Sequence, residues 1–406
     1  MHIRLYTLIA LMAFMPITVS AEVAVPADVP TEYRALYAEL ASRLSAFERR
    51  LGNPTPRKVI AATNLLTANS HAGPALLRED WQRSNLLYLD RLQALGANGV
   101  SVTIGYPLLT PAFGDPAPYL AFFETLAREV RERGMKLLVE HNVLLPGYTL
   151  VPVGPYYAQL DWRRFTKERY AEVLRIVERV RPDYLSLVVE PETHAVALAK
   201  RVGLNDWVRY VKGVVEDIAK EVPKRSTLLG AGSGTWDDPL YISRFAKIKG
   251  LDYVDMHFYP LSNGYVDYLE RALAWTDEVR RIDSAKKIVI SEAWLFKAAA
   301  RELGGDPTDA RKFARDVYSF WEPLDVQYMR VLAKMAHAKG FELVAPFWSR
   351  YFFAYLPHGT PELQGLAPHA LMRRANQAAF AALLANRTTV TGRAFGAIRH
   401  GGTGGR

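Results

Sequence analysis

From residue 57 onward the chain repeats one rhythm. A short apolar run closes on a polar or aromatic residue, and a loop then leads into an amphipathic helix. The apolar runs fall at 59–64, 99–104, 136–141, 184–190, 227–231, 253–257, 287–292 and 343–347. Each has the length of a strand buried on both faces, as in a parallel sheet. Apolar positions at helical spacing follow at 80–95, 119–133, 164–181, 206–221, 239–248, 265–280, 327–339 and 367–385. Gly96, Gly134, Gly250 and Gly340 stand where helices should end, the position that favours a left-handed residue. Eight such alternations predict an α/β chain folded as a (β/α)8 TIM barrel. A doubly wound open sheet is the alternative, but it leaves the eighth unit without a natural place.

An N-terminal helical extension precedes the barrel. Tyr33, Leu36, Tyr37, Leu40, Leu44 and Phe47 share one helix face over 31–51, and Gly52-Asn53-Pro54-Thr55-Pro56 stops it. Before that, His2 and Arg4 lead an apolar run over 5–19, and Val19-Ser20-Ala21 supplies small residues. This is the pattern of a secretory signal peptide, with cleavage expected after Ala21. The expected division is therefore 1–21 signal peptide, 22–56 spacer and helix, 57–390 barrel and 391–406 flexible tail. A secreted or periplasmic location follows as an expectation. No other apolar run reaches the ~20 residues that span a bilayer, so no transmembrane segment is expected in the mature protein.

Composition changes the picture little. Half of the residues are hydrophobic, enough for a large core, and the absence of cysteine leaves that core to hold the fold unaided. The net charge of +9 admits nucleic acid, an anionic surface or an acidic polysaccharide as partner. Export and the scatter of the basic residues argue against nucleic acid.

The chemistry is expected at the strand ends, because barrel sites lie on the C-terminal face. Two apolar strands each deliver a carboxylate there: Tyr184 to Val189 runs into Glu190-Pro191, and Ile288 to Ile290 runs into Ser291-Glu292. Strands four and seven stand across the mouth from one another, as an acid/base and a nucleophile require for double-displacement cleavage of a glycosidic bond. The long connections 142–160, 295–323 and 348–366 follow strands and are rich in aromatic residues, which suits stacking on sugar rings. No cofactor or metal is required by this scheme.

These motifs resemble those of the clan A glycoside hydrolases, the four/seven superfamily of (β/α)8 barrels. There the acid/base ends the fourth strand as Asn-Glu-Pro and the nucleophile ends the seventh. Glu190-Pro191 and Ile290-Ser291-Glu292-Ala293-Trp294 match those two places, and Met256-His257-Phe258-Tyr259-Pro260 is similar to the clan's sixth strand end. The resemblance implies that Tyr259, or Tyr259 with His257, bonds the nucleophile, and that Trp348 forms the floor beneath the sugar. Trp294 and Trp236, Asn64 on the first strand, and His141 and Asn142 on the third complete the expected carbohydrate-binding set.

One residue departs from the pattern. Val189 stands where the clan has the Asn that binds the sugar 2-hydroxyl. Asn142 or His141 could substitute, Glu192 could be the acid/base instead, or the barrel could bind sugars without cutting them. A further rival is a metal-dependent barrel hydrolase built on Glu190, Glu192, His194 and His257, whose spacing-two carboxylates and imidazole resemble a ligand set. The glycan itself is unspecified; the basic balance leans towards an acidic or cell-envelope polymer.

Overall fold

A computed structural model of the chain describes residues 24–259, 267–298, 302 and 310–400. The expected signal peptide and residues 401–406 lie outside the described residues.

Eight parallel strands form one sheet: β1 (Ile60–Ala61), β2 (Gly99–Thr103), β3 (Lys136–Glu140), β4 (Tyr184–Ser186), β5 (Leu228–Gly234), β6 (Tyr253–Phe258), β7 (Lys287–Ala293) and β8 (Leu343–Pro346). The order runs β1-β8-β7-β6-β5-β4-β3-β2. Its two ends meet through a parallel bridge between Asn64 and Ser101 and through Leu65 N–H donating to the Ser101 carbonyl at 2.9 Å. The sheet therefore closes into a (β/α)8 barrel, as the alternation predicts.

Period-two alternation sorts the strand side chains. Ile60, Ala62, Leu138, Tyr184, Tyr253, Val289, Leu343 and Ala345 pack together inside the barrel. Their neighbours Leu137, Val139, Leu185, Val254, Ile288 and Ile290 pack outward with the helices in the main core. Two tyrosines inside one barrel need room, and β5 provides it. A Cβ at Gly230 would collide with the Tyr253 ring, so the glycine leaves the space that this ring fills.

Local chemistry sets the helix ends. The Asp161 carboxylate accepts from Arg164 N–H at 2.7 Å and opens Trp162–Arg175. Gly340, at φ 66°, closes Glu322–Lys339. The extension Thr31–Leu51 packs on that last helix through Leu36, Tyr37, Leu40, Leu44 and Phe47, with Glu48 paired to Lys334 at 3.2 Å.

Two expectations need correction. β4 ends at Ser186, not at Glu190. Residues 187–190 go on as irregular chain held to β5, with Leu187 N–H donating to Gly230 and Gly232 N–H to Val188, each at 2.7 Å. Glu190 then caps a short helix, Pro191–Ala197, that begins on Pro191. The tail from 391 is also ordered as far as His400. Val390–Gly396 is helical, and Phe395 and Ile398 are fully buried, so apolar burial anchors it.

Candidate active site

Four strands bring polar groups to the C-terminal mouth. On β3 the inward series passes from Leu138 to Glu140, and on β6 from Tyr253 through Asp255 to His257. On β7 the count breaks. Asp255 pairs with Val289 but His257 pairs with Glu292, and on the other side Ile290 pairs with Val344 but Ala293 with Pro346. β7 therefore carries one residue more than either neighbour. Val289 faces inward, so Glu292, three positions on, would face the helices in an unbroken strand. The bulge turns it into the mouth.

His257 is the hub. Its Nδ1 lies 2.7 Å from Glu190 Oε1 and 3.4 Å from Glu292 Oε2. Those two oxygens are thus no farther apart than the sum of the two distances, about 6 Å, below the ~6.5–9.5 Å carboxyl separation of an inverting pair and near the ~5–5.5 Å of a retaining one. Its Nε2 meets Ser291 Oγ at 2.9 Å and stands 3.9 Å from Glu140 Oε2. The Tyr259 hydroxyl donates to Glu292 Oε2. Beneath them Asp255 accepts from Ser291 N–H at 3.1 Å and from the Ser186 hydroxyl, which pins the bulge.

Glu140, His257 and Glu292 each bring a ligand atom within 4.8 Å of the others, so two buried carboxyl groups share one pocket and each disfavours the charged form of the other. Burial, followed by the charge of Glu292, pushes Glu140 well above the usual carboxylate range. Burial also raises Glu292, against the opposing pull of His257. For His257, burial works against the charged form. The charges of Glu292, Glu190 and Glu140 outweigh it and hold the ring well above its ordinary value.

The other expected site residues divide. Asn142 donates from Nδ2 to Glu140 Oε2 at 3.1 Å and so joins the mouth. Trp236 is half-buried with its ring 5.6 Å from Tyr259. Trp348, half-buried on the loop after β8, has Arg350 4.0 Å over its ring. Trp294 is fully buried and donates to Asp316 Oδ2 at 3.0 Å, so it packs behind the site. Asn64 is fully buried and accepts from Asn69 Nδ2 at 3.0 Å. His141 lies on the far side of the barrel wall, with Nδ1 2.7 Å from the Ile104 carbonyl and Nε2 3.5 Å from Glu172. In the long loops Tyr157, Trp321, Tyr351 and Phe352 are buried and pack those segments.

Glu192 is exposed on the helix after Glu190 and accepts from Asp238 N–H at 3.3 Å. His194 is buried against Trp207, ring centroids 5.9 Å apart, so Glu190, Glu192, His194 and His257 do not form one ligand set. The trio whose ligand atoms lie within 4.8 Å of one another is Glu140, His257 and Glu292. Both ring nitrogens of His257 are already engaged, by Glu190 and Ser291, which fits a hydrogen-bonded imidazolium better than a metal ligand.

Three residues escaped the sequence reading. Glu140 was legible by parity, two positions after the inward Leu138. Ser291 was visible only as the neighbour of Glu292. Arg169 is fully buried, donates from Nη2 to Leu187 O at 2.7 Å and to His141 O, and so ties the ends of β3 and β4 together. Nothing in its helical context marks it out.

The fold and the mouth together define a (β/α)8 barrel with a carboxylate-rich centre. Solved barrels share this architecture. An exo-beta-1,4-mannosidase from Opitutaceae bacterium strain TAV5 is 14% identical, covers 85% of this chain and 60% of its own, and superposes with a TM-score of 0.56. A GH5_18 protein from Bifidobacterium longum subsp. infantis is 14% identical, with 85% and 79% covered and a TM-score of 0.54. The expected likeness to clan A barrels thus holds at the level of the fold. No protein-family model and no curated protein matches the chain.

Proposed function

We propose that this protein is a retaining glycoside hydrolase in which Glu190 is the acid/base and Glu292 the nucleophile. One observation carries the reading: His257 holds the two carboxylates, at 2.7 and 3.4 Å, within the reach of a double displacement. Glu190 protonates the departing glycosidic oxygen while Glu292 attacks the anomeric carbon. Tyr259 and His257 fix the attacking carboxylate, which cuts the reorganisation needed at the moment of reaction. Water, deprotonated by Glu190, then releases the sugar from Glu292. Asn142, bonded to Glu140 in the mouth, takes the 2-hydroxyl role that Val189 leaves open.

The pattern of residues 1–21 supports export, and none of the described helices is long and apolar enough to cross a membrane. A polysaccharide of the envelope or its surroundings is the matching substrate class. The net charge of +9 favours an anionic setting for the exterior, while the mouth itself is acidic.

A reducing-end release screen over plant, bacterial and acidic polysaccharides tests the reading, with β-mannans included because one barrel of the same fold is a mannosidase. Release by wild type that is lost in both Glu190→Gln and Glu292→Gln supports it. Binding of a polymer without any release favours a sugar-binding barrel instead, the reading to which the buried Val189 points. Activity abolished by chelator would shift the assignment to a metal at Glu140, His257 and Glu292.

A further inference from the structure

The mouth holds more negative charge than its own residues balance. Glu140, Glu190 and Glu292 converge on a single imidazole, His257. Glu192 follows Glu190 by two residues and accepts from Asp238 N–H at 3.3 Å, which brings the adjacent Asp237 to the same corner, and among the described residues neither Glu192 nor Asp237 has a cationic partner. The chain as a whole carries the opposite sign, +9, so the acidic corner is a local feature. Asp237 is 2% exposed. Its Oδ2 accepts from Ser233 Oγ and Gly234 N–H, both at 3.0 Å, but its Oδ1 has no donor. Burial and then the charges of Glu190 and Glu192 push this carboxyl well up. A buried acceptor left unpaired costs stability unless a ligand or water completes it. Trp236, next in the chain, offers a half-buried aromatic ring at the same corner.

We propose that the substrate is a glycan of amino sugars with free amines, and that Asp237 and Glu192 hold the ammonium of the sugar on the leaving-group side while Trp236 stacks on its ring. This rests on the assignment of Glu190 as acid/base, which defines that side. An ammonium supplies up to three donors and a positive charge, so it completes Oδ1 and offsets the packed carboxylates. A neutral hydroxyl completes the bond but leaves the charge, an N-acetyl group does no better, and a uronate adds to the repulsion.

The test is calorimetric titration with three oligosaccharides of equal length that differ at one substituent: chitosan, chitin and cello-oligosaccharides. The amine form should bind at least about tenfold more tightly than either counterpart, and the advantage should shrink as salt is raised. Asp237→Asn and Glu192→Gln should each erode the preference; Glu192 is exposed, so its variant folds even if that of buried Asp237 does not. Equal binding of all three, or a preference untouched by Glu192→Gln, overturns the proposal. So does binding of calcium, magnesium or manganese ions alone that depends on these two residues, with no preference for the amine. Amine-selective binding without cleavage would refute the glycosidase reading and leave the ammonium site of Asp237 and Glu192 standing as a binding site. Cleavage of cello-oligosaccharide without amine selectivity would do the reverse.

Discussion

Two fully buried histidines, one on each side of the barrel wall, end in opposite states. His257 faces the mouth among Glu140, Glu190 and Glu292 and is held well above its ordinary value. His141 faces the helix layer, where burial and the Arg169 guanidinium push it down to about 3. Burial acts on both rings in the same direction, so the sign of the neighbours decides. The outer region sheds charge by protonation: Glu172, 3.5 Å from His141, is raised to about 8, chiefly by burial. The mouth gathers three carboxyl groups around one imidazole, and their charges keep that ring protonated. A buried polar cluster is therefore not in itself a sign of chemistry; a cluster that stays ionised within reach of solvent is.

The largest effect expected in the mouth is from Glu292→Ala. Turnover should fall by ~10⁴-fold or more, as for other removed nucleophiles, with the melting temperature kept. An active Glu292→Ala would erase the distinction between the two regions. The outer cluster has its own large effect, on stability alone. Arg169→Met removes a buried cation that bonds two carbonyls and should cost about 3–5 kcal/mol in denaturant unfolding. If it left stability intact, the outer cluster would not be structural.

Smaller is Tyr259→Phe, which removes one hydrogen bond to Glu292. A bond to a charged group is worth ~1.5–3 kcal/mol, so kcat should drop about 10- to 100-fold. An unchanged kcat would mean that the tyrosine does not hold the nucleophile. The subtlest is a pH slope. Glu172 sits at about 8 in the folded chain against an ordinary 4.5, so folding retains a proton that the unfolded chain releases. Its contribution is fully present below about 4.5 and is lost as pH rises through about 8. Glu172→Gln abolishes that slope, and the melting temperature of the variant relative to wild type should climb between about pH 5 and pH 8. A flat difference would show that Glu172 is ionised in the fold.

Much of this was legible in the sequence, for reasons that also mark the limits. Eight apolar runs alternating with amphipathic helices define the barrel because buried parallel strands and surface helices impose different periods. Glu190 and Glu292 stood out as carboxylates ending apolar runs. His141 attracted the reading that belonged to Glu140, since a strand end identifies a pair of neighbours but only the inner packing of Leu138 shows which of them faces the mouth. The position of Glu190 in irregular chain beyond β4 was hidden because Leu187 to Val189 are as apolar as a strand. The Asp255 contacts and the Arg169 tie join residues far apart in the chain, and local pattern carries no trace of them.

The extra residue in β7 has a consequence for how such a barrel changes over generations. Between Val289 and Glu292, loss of a single codon would restore regular pairing and, with the count cut from three to two, still leave the carboxylate facing the mouth. Straightening the bulge without that loss would instead turn it out among the helices. The direction of this carboxylate is thus set by a count of residues, and a relative with a gap here would keep it in the mouth without any bulge.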